Sequence, residues 1–205
     1  MSDPATETAR YIDSLGTEAL AKAAAYTSGS HWMLLWGLVV TALVSWIVIR
    51  SRLLDRVSDA LKSRVDGLRI WLVCAVFFLA SSVIALPWTL YQSYWREKSY
   101  GRTSQPLGDF LGQQGIGIIL SALIGGAFFL GIYALIRRTG KRWWLWSGGF
   151  AAMAAALMML LAPVLIEPIF NDYKPVPEGP VKTALIGMAD EAGIPHDRIF
   201  MFDGS

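Results

Sequence analysis

Four stretches of this chain contain no Asp, Glu, Lys, Arg or His: Trp32 to Ile49, Ile70 to Trp95, Phe110 to Ile136 and Trp143 to Ile166. Each is long enough to cross ~30 Å of hydrocarbon at about 1.5 Å per residue, the first only just. In lipid a lone backbone must satisfy its own hydrogen bonds, and none of the four alternates with the period of two that a barrel requires. The expected fold is therefore all-α and multi-pass, with four transmembrane helices at 32–49, 70–95, 110–136 and 143–166. A hydrophobic content of 54% and nine Trp agree, as does a mean hydropathy of +0.44. The chain divides into a polar segment 1–31, a membrane region 32–166 and a tail 167–205.

The spans carry signs of how they end and how they pack. Trp32 and Trp36, Trp88 to Trp95, and Trp143 with Trp144 sit where amphipathic rings meet headgroups. Pro87 and Pro163 are each expected to kink or end a helix. Small residues recur four apart at Ser121 and Gly125, at Ala122 and Gly126, and at Gly148, Ala152 and Ala156. That spacing lets helices approach closely, and it is also frequent by chance in Ala-rich and Gly-rich segments.

Residues 1 to 31 hold four acids against Arg10 and Lys22, so no cleavable signal is evident and the first span is expected to remain as an anchor. Thr6 to Ala25 is Ala-rich and reads either as a short surface helix or as a frayed terminus. The loop Arg50 to Arg69 carries six Lys or Arg and the loop Arg137 to Arg142 four, against eight over the N-terminus, the loop 96–102 and the tail together. The positive-inside rule then places the two richer loops in the cytoplasm and both termini outside. These basic loops set topology; nucleic acid is not an expected partner, and the lipid bilayer is.

Chemistry is absent from the membrane. With no ionisable residue in any span, a proton path, an ion site or a self-sufficient intramembrane protease is not expected. His31 lies at the membrane edge and His196 in the tail, so neither serves a nucleophile as base, and Cys74 is a packed apolar residue. Two distant histidines and one cysteine make no zinc site. His196, between Pro195 and Asp197, reads as a solvated turn residue. Asp190 and Glu191 are adjacent, so on a helix they diverge by about 100° and form no acid/base pair. No residue is assigned a catalytic, cofactor-binding or metal-binding role.

The tail has its own pattern. Pro163, Pro168, Pro175, Pro177 and Pro180 are expected to end the last span and to hold 167–180 as an extended connector. Val181, Ala184, Leu185, Met188, Ala189 and Ala192 share one helix face, and Gly193 follows as a stop. Arg198 to Asp203 reads as a strand whose run Ile199 to Phe202 wants burial on both faces.

Three pieces carry a resemblance: LPWTLYQSYWREKSYGRTSQPLGDF at 86–110, LAPVLIEPIFNDYKPVPEG at 161–179, and GIPHDRIFMFDGS at 193–205. Together they resemble the N-terminal region of the type-one CAAX prenyl proteases, integral-membrane zinc metallopeptidases. The resemblance implies a truncated start of a soluble α/β metallopeptidase domain after the membrane region. It also implies zinc held by an H-E-x-x-H helix and a further Glu in the full-length parent, with peptides or prenylated proteins as substrates. That motif does not occur in residues 1–205, so no catalytic or zinc-binding residue carries over. Asn171, Tyr173, Pro175, Pro177 and Gly179 match the connector, with a structural role implied. The chain is accordingly expected to be the membrane portion of such an enzyme, inactive alone and multi-pass in the inner or plasma membrane if bacterial. The alternative is a stand-alone helical scaffold or regulatory membrane protein.

Overall fold

The structure is a computed structural model that describes residues 3–171, 173–195 and 199–202. It forms two compact units, residues 1–130 and 131–205. Three long apolar helical runs are suited to crossing a membrane: Gly16–Arg50, Asp66–Ser99 and Leu107–Phe170.

In the first unit, α1 (Pro4–Ser14) starts where the Asp3 carboxylate accepts from the Ala5 amide and Pro4 presets the first turn. Gly16, at φ 80°, breaks it from α2 (Gly16–Arg50). The first membrane helix therefore begins far earlier than Trp32. Ala, Leu, Glu and Lys between 17 and 25 are strong helix formers, so this part joins the membrane helix, and of the expected surface helix over Thr6 to Ala25 only the part in α1 stands apart, with no buried residue. Arg52, at φ 54°, turns the chain into the short α3 (Leu53–Ala60) and on to α4 (Asp66–Leu90).

Pro87 does not end α4. The helix passes through it and widens into a five-residue π-helical turn at Tyr91–Trp95 before α5 (Arg96–Ser99). Such turns are rare and cluster at functional sites. Buried Tyr94 in this turn stacks on buried Phe110 at the start of α6 (Leu107–Thr139), centroids 5.2 Å apart.

The α4–α6 contact realises one of the small-residue patterns. A Cβ at Gly125 would lie 2.5 Å from the Phe78 ring, and one at Gly126 would lie 3.1 Å from the Trp71 carbonyl. Ala122 is buried beside them, and the Trp71 indole donates to the Leu123 carbonyl at 3.3 Å. The pattern in the last span differs: a Cβ at Gly148 would meet nothing within 4 Å.

The expected third and fourth spans lie within one 64-residue run, Leu107–Phe170. It reverses at Gly140, φ 52°, through a short 3-10 turn Gly140–Arg142 into α7 (Trp143–Leu161). Gly131 and Phe150 meet across the reversal, a Cβ at Gly131 falling 2.6 Å from the ring. Pro163 also fails to end its helix; a second π-helical turn, Ala162–Ile166, leads into α8 (Glu167–Phe170). The extended connector therefore starts at Asn171 (φ −126°, ψ 130°) and not at 167.

The tail helix is α9 (Pro180–Ala192), closed as expected by Gly193 at φ 65° with its amide on the Asp190 carbonyl at 3.1 Å. The expected strand is shorter. Phe200–Met201 (β2) pairs antiparallel with Lys174–Pro175 (β1), Lys174 opposite Met201 and Pro175 opposite Phe200. Phe200 and Met201 are half exposed, because the connector covers only the edge of this strand. His196, Asp197, Arg198 and Asp203 lie outside the described residues.

Candidate functional site

The polar centre of the first unit is built where the π-helical turn delivers Arg96 and Glu97 against the juxtamembrane part of α2. The Arg96 guanidinium donates through Nη2 to the Tyr26 carbonyl at 2.7 Å and the Ser30 hydroxyl at 2.9 Å, and through Nη1 to Glu97 Oε1 at 3.3 Å. The Tyr26 hydroxyl donates to the same Oε1 at 2.8 Å, and Arg102 Nε donates to Oε2 at 3.1 Å. Glu97 is thus a carboxylate with three donors, and its side chain keeps only 23% of its exposure, Arg96 only 10%.

Aromatic faces complete the clasp. Arg96 lies 4.2 Å from the Tyr26 ring centroid and Arg102 4.5 Å, while Tyr26 and Tyr100 meet edge to face at 5.1 Å. Stacked guanidinium and charge-assisted hydrogen bonds are the stronger members of their classes. Gly29 leaves room for this guanidinium: a Cβ on it would lie 3.3 Å from Arg96 Nη2 and press it back by a few tenths of an ångström. Lys98 reaches back to the Tyr94 hydroxyl at 3.3 Å.

An elongated groove runs from the clasp between α2 and α4. Its polar end, about 370 Å³, is lined by Ser30, Gln92, Ser93, Arg96 and Glu97 with Met33 and Leu34. The latter two and Gln92 also line the apolar part, about 570 Å³, whose walls include Leu38, Val44, Phe77 and Trp88. Ser81, on the same wall, has a buried hydroxyl without a partner among the described residues. A smaller space of about 260 Å³ between α4 and α6 gathers Ser82, Thr89, Gln114 and Ser121.

In the second unit the connector is pinned to the strand. Tyr173 is bonded to Glu167, and that bond holds its phenol above the usual tyrosine range, with desolvation and the carboxylate's charge acting the same way. The Tyr173 ring packs on Phe202 at 5.3 Å, and the Val176 amide donates to the Ile199 carbonyl at 3.1 Å. Pro175 is the β1 residue opposite Phe200, where its missing N–H costs the two-stranded ladder little. Gly179 caps α9.

Of the residues weighed from sequence, His31 is exposed on α2 and Cys74 half-buried on α4. Among the described residues no three of His, Cys, Asp and Glu gather as a metal site. The clasp escaped the sequence reading. Arg96 and Arg102 enter that reading only as loop charge and Glu97 only within the piece 86–110 that carries the resemblance.

Residues 5–172 match the family described as CAAX prenyl protease N-terminal, five membrane helices. The chain belongs to that family. A protein named CAAX prenyl protease 1 homolog from Oryza sativa subsp. japonica is 28% identical over 139 residues, which is 68% of this chain and 31% of the rice protein. The metalloprotease YhfN of Bacillus subtilis (strain 168), itself uncharacterized, is 24% identical over 185 residues, 88% of this chain and 43% of that protein. The crystal structure of S. mikatae Ste24p shares the fold at a TM-score of 0.66 and 18% identity, covering 87% of this chain and 43% of that one. The chain therefore spans less than half the length of these relatives. Like the other members of the CAAX prenyl protease N-terminal family, it is an integral membrane protein, and the clasp and the connector lie within or beside the matched residues.

Proposed function

We propose that this chain builds the membrane portion of a zinc metalloendopeptidase that cleaves peptides, prenylated proteins among them, and that it has no peptidase activity alone. The observation that carries this reading is the family match over residues 5–172, supported by relatives named as CAAX prenyl proteases and a metalloprotease. Tetrahedral zinc takes three or more protein ligands. The described residues offer no such cluster, so they do not fit the ion, and no chemical step is routed through it here. Its ligands would belong to the remainder of a longer protein. This chain's part is to span the bilayer and to set the first helix and strand of a soluble domain against it, residues 167–205 forming the opening of that domain.

The reversal at Gly140 supports four passes, at α2, α4, α6 and α7. The ten Lys and Arg in the loops 50–69 and 137–142, against eight elsewhere, support a cytoplasmic face for those loops. Cysteines at Lys62 and Thr139 in a Cys74→Ser background should resist an impermeant thiol reagent in intact cells; labelling of both reverses the orientation. For activity, the chain joined to the H-E-x-x-H portion of a relative should cleave a prenylated peptide. Residues 1–205 alone should cleave none and hold far less than one zinc per chain. One firmly bound zinc on residues 1–205 refutes the reading.

A further inference from the structure

The groove between α2 and α4 has two chemically distinct ends. From Phe77 to Arg96 the helix advances about 28 Å, close to the thickness of a bilayer's hydrocarbon. The apolar part is walled by Leu38, Val44, Phe77 and Trp88, and the polar end by Gln92, Ser93, Arg96 and Glu97. Both volumes, about 570 and 370 Å³, fall in the range of small-molecule sites, roughly 300–1,000 Å³. An occupant must therefore be an amphiphile with one long apolar chain.

Its head is specified by what the clasp leaves over. A guanidinium has five N–H donors, and Arg96 directs three of them to Tyr26, Ser30 and Glu97, leaving two. The Ser93 hydroxyl and the Gln92 amide line the same end of the groove. A carboxylate has about four acceptor sites, and Glu97 uses three. Spare donors thus surround one cation, and one spare acceptor site sits on the neighbouring anion. A purely cationic head would face both Arg96 and Arg102, and a purely anionic one the Glu97 carboxylate that these two hold; a head carrying both charges a few bonds apart meets both signs.

We propose that this groove binds a glycerophospholipid with a phosphoethanolamine head. One acyl chain lies in the apolar trough, the phosphate accepts from Arg96, Ser93 and Gln92, and the primary ammonium donates to Glu97. A quaternary ammonium has no N–H for Glu97, which makes the choline lipid the discriminating competitor.

The test is native mass spectrometry of the full chain extracted from nanodiscs containing acyl-matched phosphatidylethanolamine, phosphatidylcholine and phosphatidylglycerol in equal amounts. Wild type should retain one phosphatidylethanolamine per chain, about tenfold over either competitor, the effect of one charge-assisted hydrogen bond. Glu97→Gln should abolish the preference over phosphatidylcholine. Gly37 lines the trough and a Cβ there meets nothing within 4 Å, so Gly37→Phe grows a ring from an open position into it. It should lower retention of all three lipids while the melting temperature holds. Equal retention of the three lipids by wild type, or unchanged retention in Gly37→Phe, overturns the proposal. So does a chain dimer, without lipid, that Gly37→Phe dissociates.

Discussion

Replacing Gly125 by Ala tests whether the α4–α6 crossing is set by a missing Cβ. The new methyl would sit 2.5, 2.7 and 2.9 Å from three atoms of the Phe78 ring, where carbon pairs prefer about 3.5–4.0 Å. The ring must give by about 1 Å, yet it is held between Phe77 at 5.6 Å and Phe129 at 5.9 Å. Overpacking of this kind costs about 1–3 kcal/mol, while the helix gains about 1 kcal/mol from Ala over Gly. The net expectation is a loss of up to about 2 kcal/mol, and a stability about 1–3 kcal/mol below that of a Gly→Ala change made without overpacking. Gly117, on the same helix, is the control: a Cβ there meets nothing within 4 Å, so Gly117→Ala should be neutral or stabilising by up to ~1 kcal/mol. Unfolding by SDS titration in mixed micelles, followed by circular dichroism, measures both. Phe78→Leu in the Gly125→Ala background should recover much of the loss, a coupling typical of residues in contact. Equal stability of Gly125→Ala and Gly117→Ala would refute the reasoning, because the two differ only in what stands opposite the new methyl.

Two further outcomes concern the polar contacts. Glu97→Gln should destabilise by about 2 kcal/mol and Tyr26→Phe by about 1 kcal/mol, with a positive coupling in the double mutant; additivity in thermal melts would show that the two do not act together. Tyr173 should ionise above the other exposed tyrosines in a spectrophotometric pH titration, and Glu167→Gln should bring it back. Its bond to Glu167 stabilises the connector below the ordinary tyrosine value of about 10 and is lost as pH rises through the raised value. A melting temperature flat through that window in wild type removes the connector role.

The spans were legible because exclusion of charge from hydrocarbon is a strong constraint. Their boundaries were less so, because absence of charge reports contact with lipid while a helix obeys backbone propensity; α2 runs through Lys22 and Glu18 with no break. Of the two outcomes expected of Pro87 and Pro163, an ended helix occurs at neither. Pro87 and Pro163 each remove a donor, and in both places the backbone answers by widening its turn and continuing. The close approach at Gly125 and Gly126 was visible as spacing, but nothing in the sequence separated it from the identical spacing at Gly148, where a Cβ meets nothing within 4 Å. The clasp was illegible for a different reason: Tyr26 and Glu97 lie far apart in the chain, and the pairing exists only once α2 and α4 stand side by side.

The wide turn at Tyr91–Trp95 acts as a one-residue insertion in an otherwise regular helix. A residue added within a helix rotates everything after it by about 100°, so the turn decides the azimuth of Arg96 and Glu97. Ordinary winding forced on the same residues would leave composition and hydropathy untouched and swing the pair away from Tyr26. Among relatives, gaps of one residue in this stretch are the changes to compare with the winding of the turn. A chain that has lost the extra residue and winds regularly keeps its acid and its cation facing the same partner.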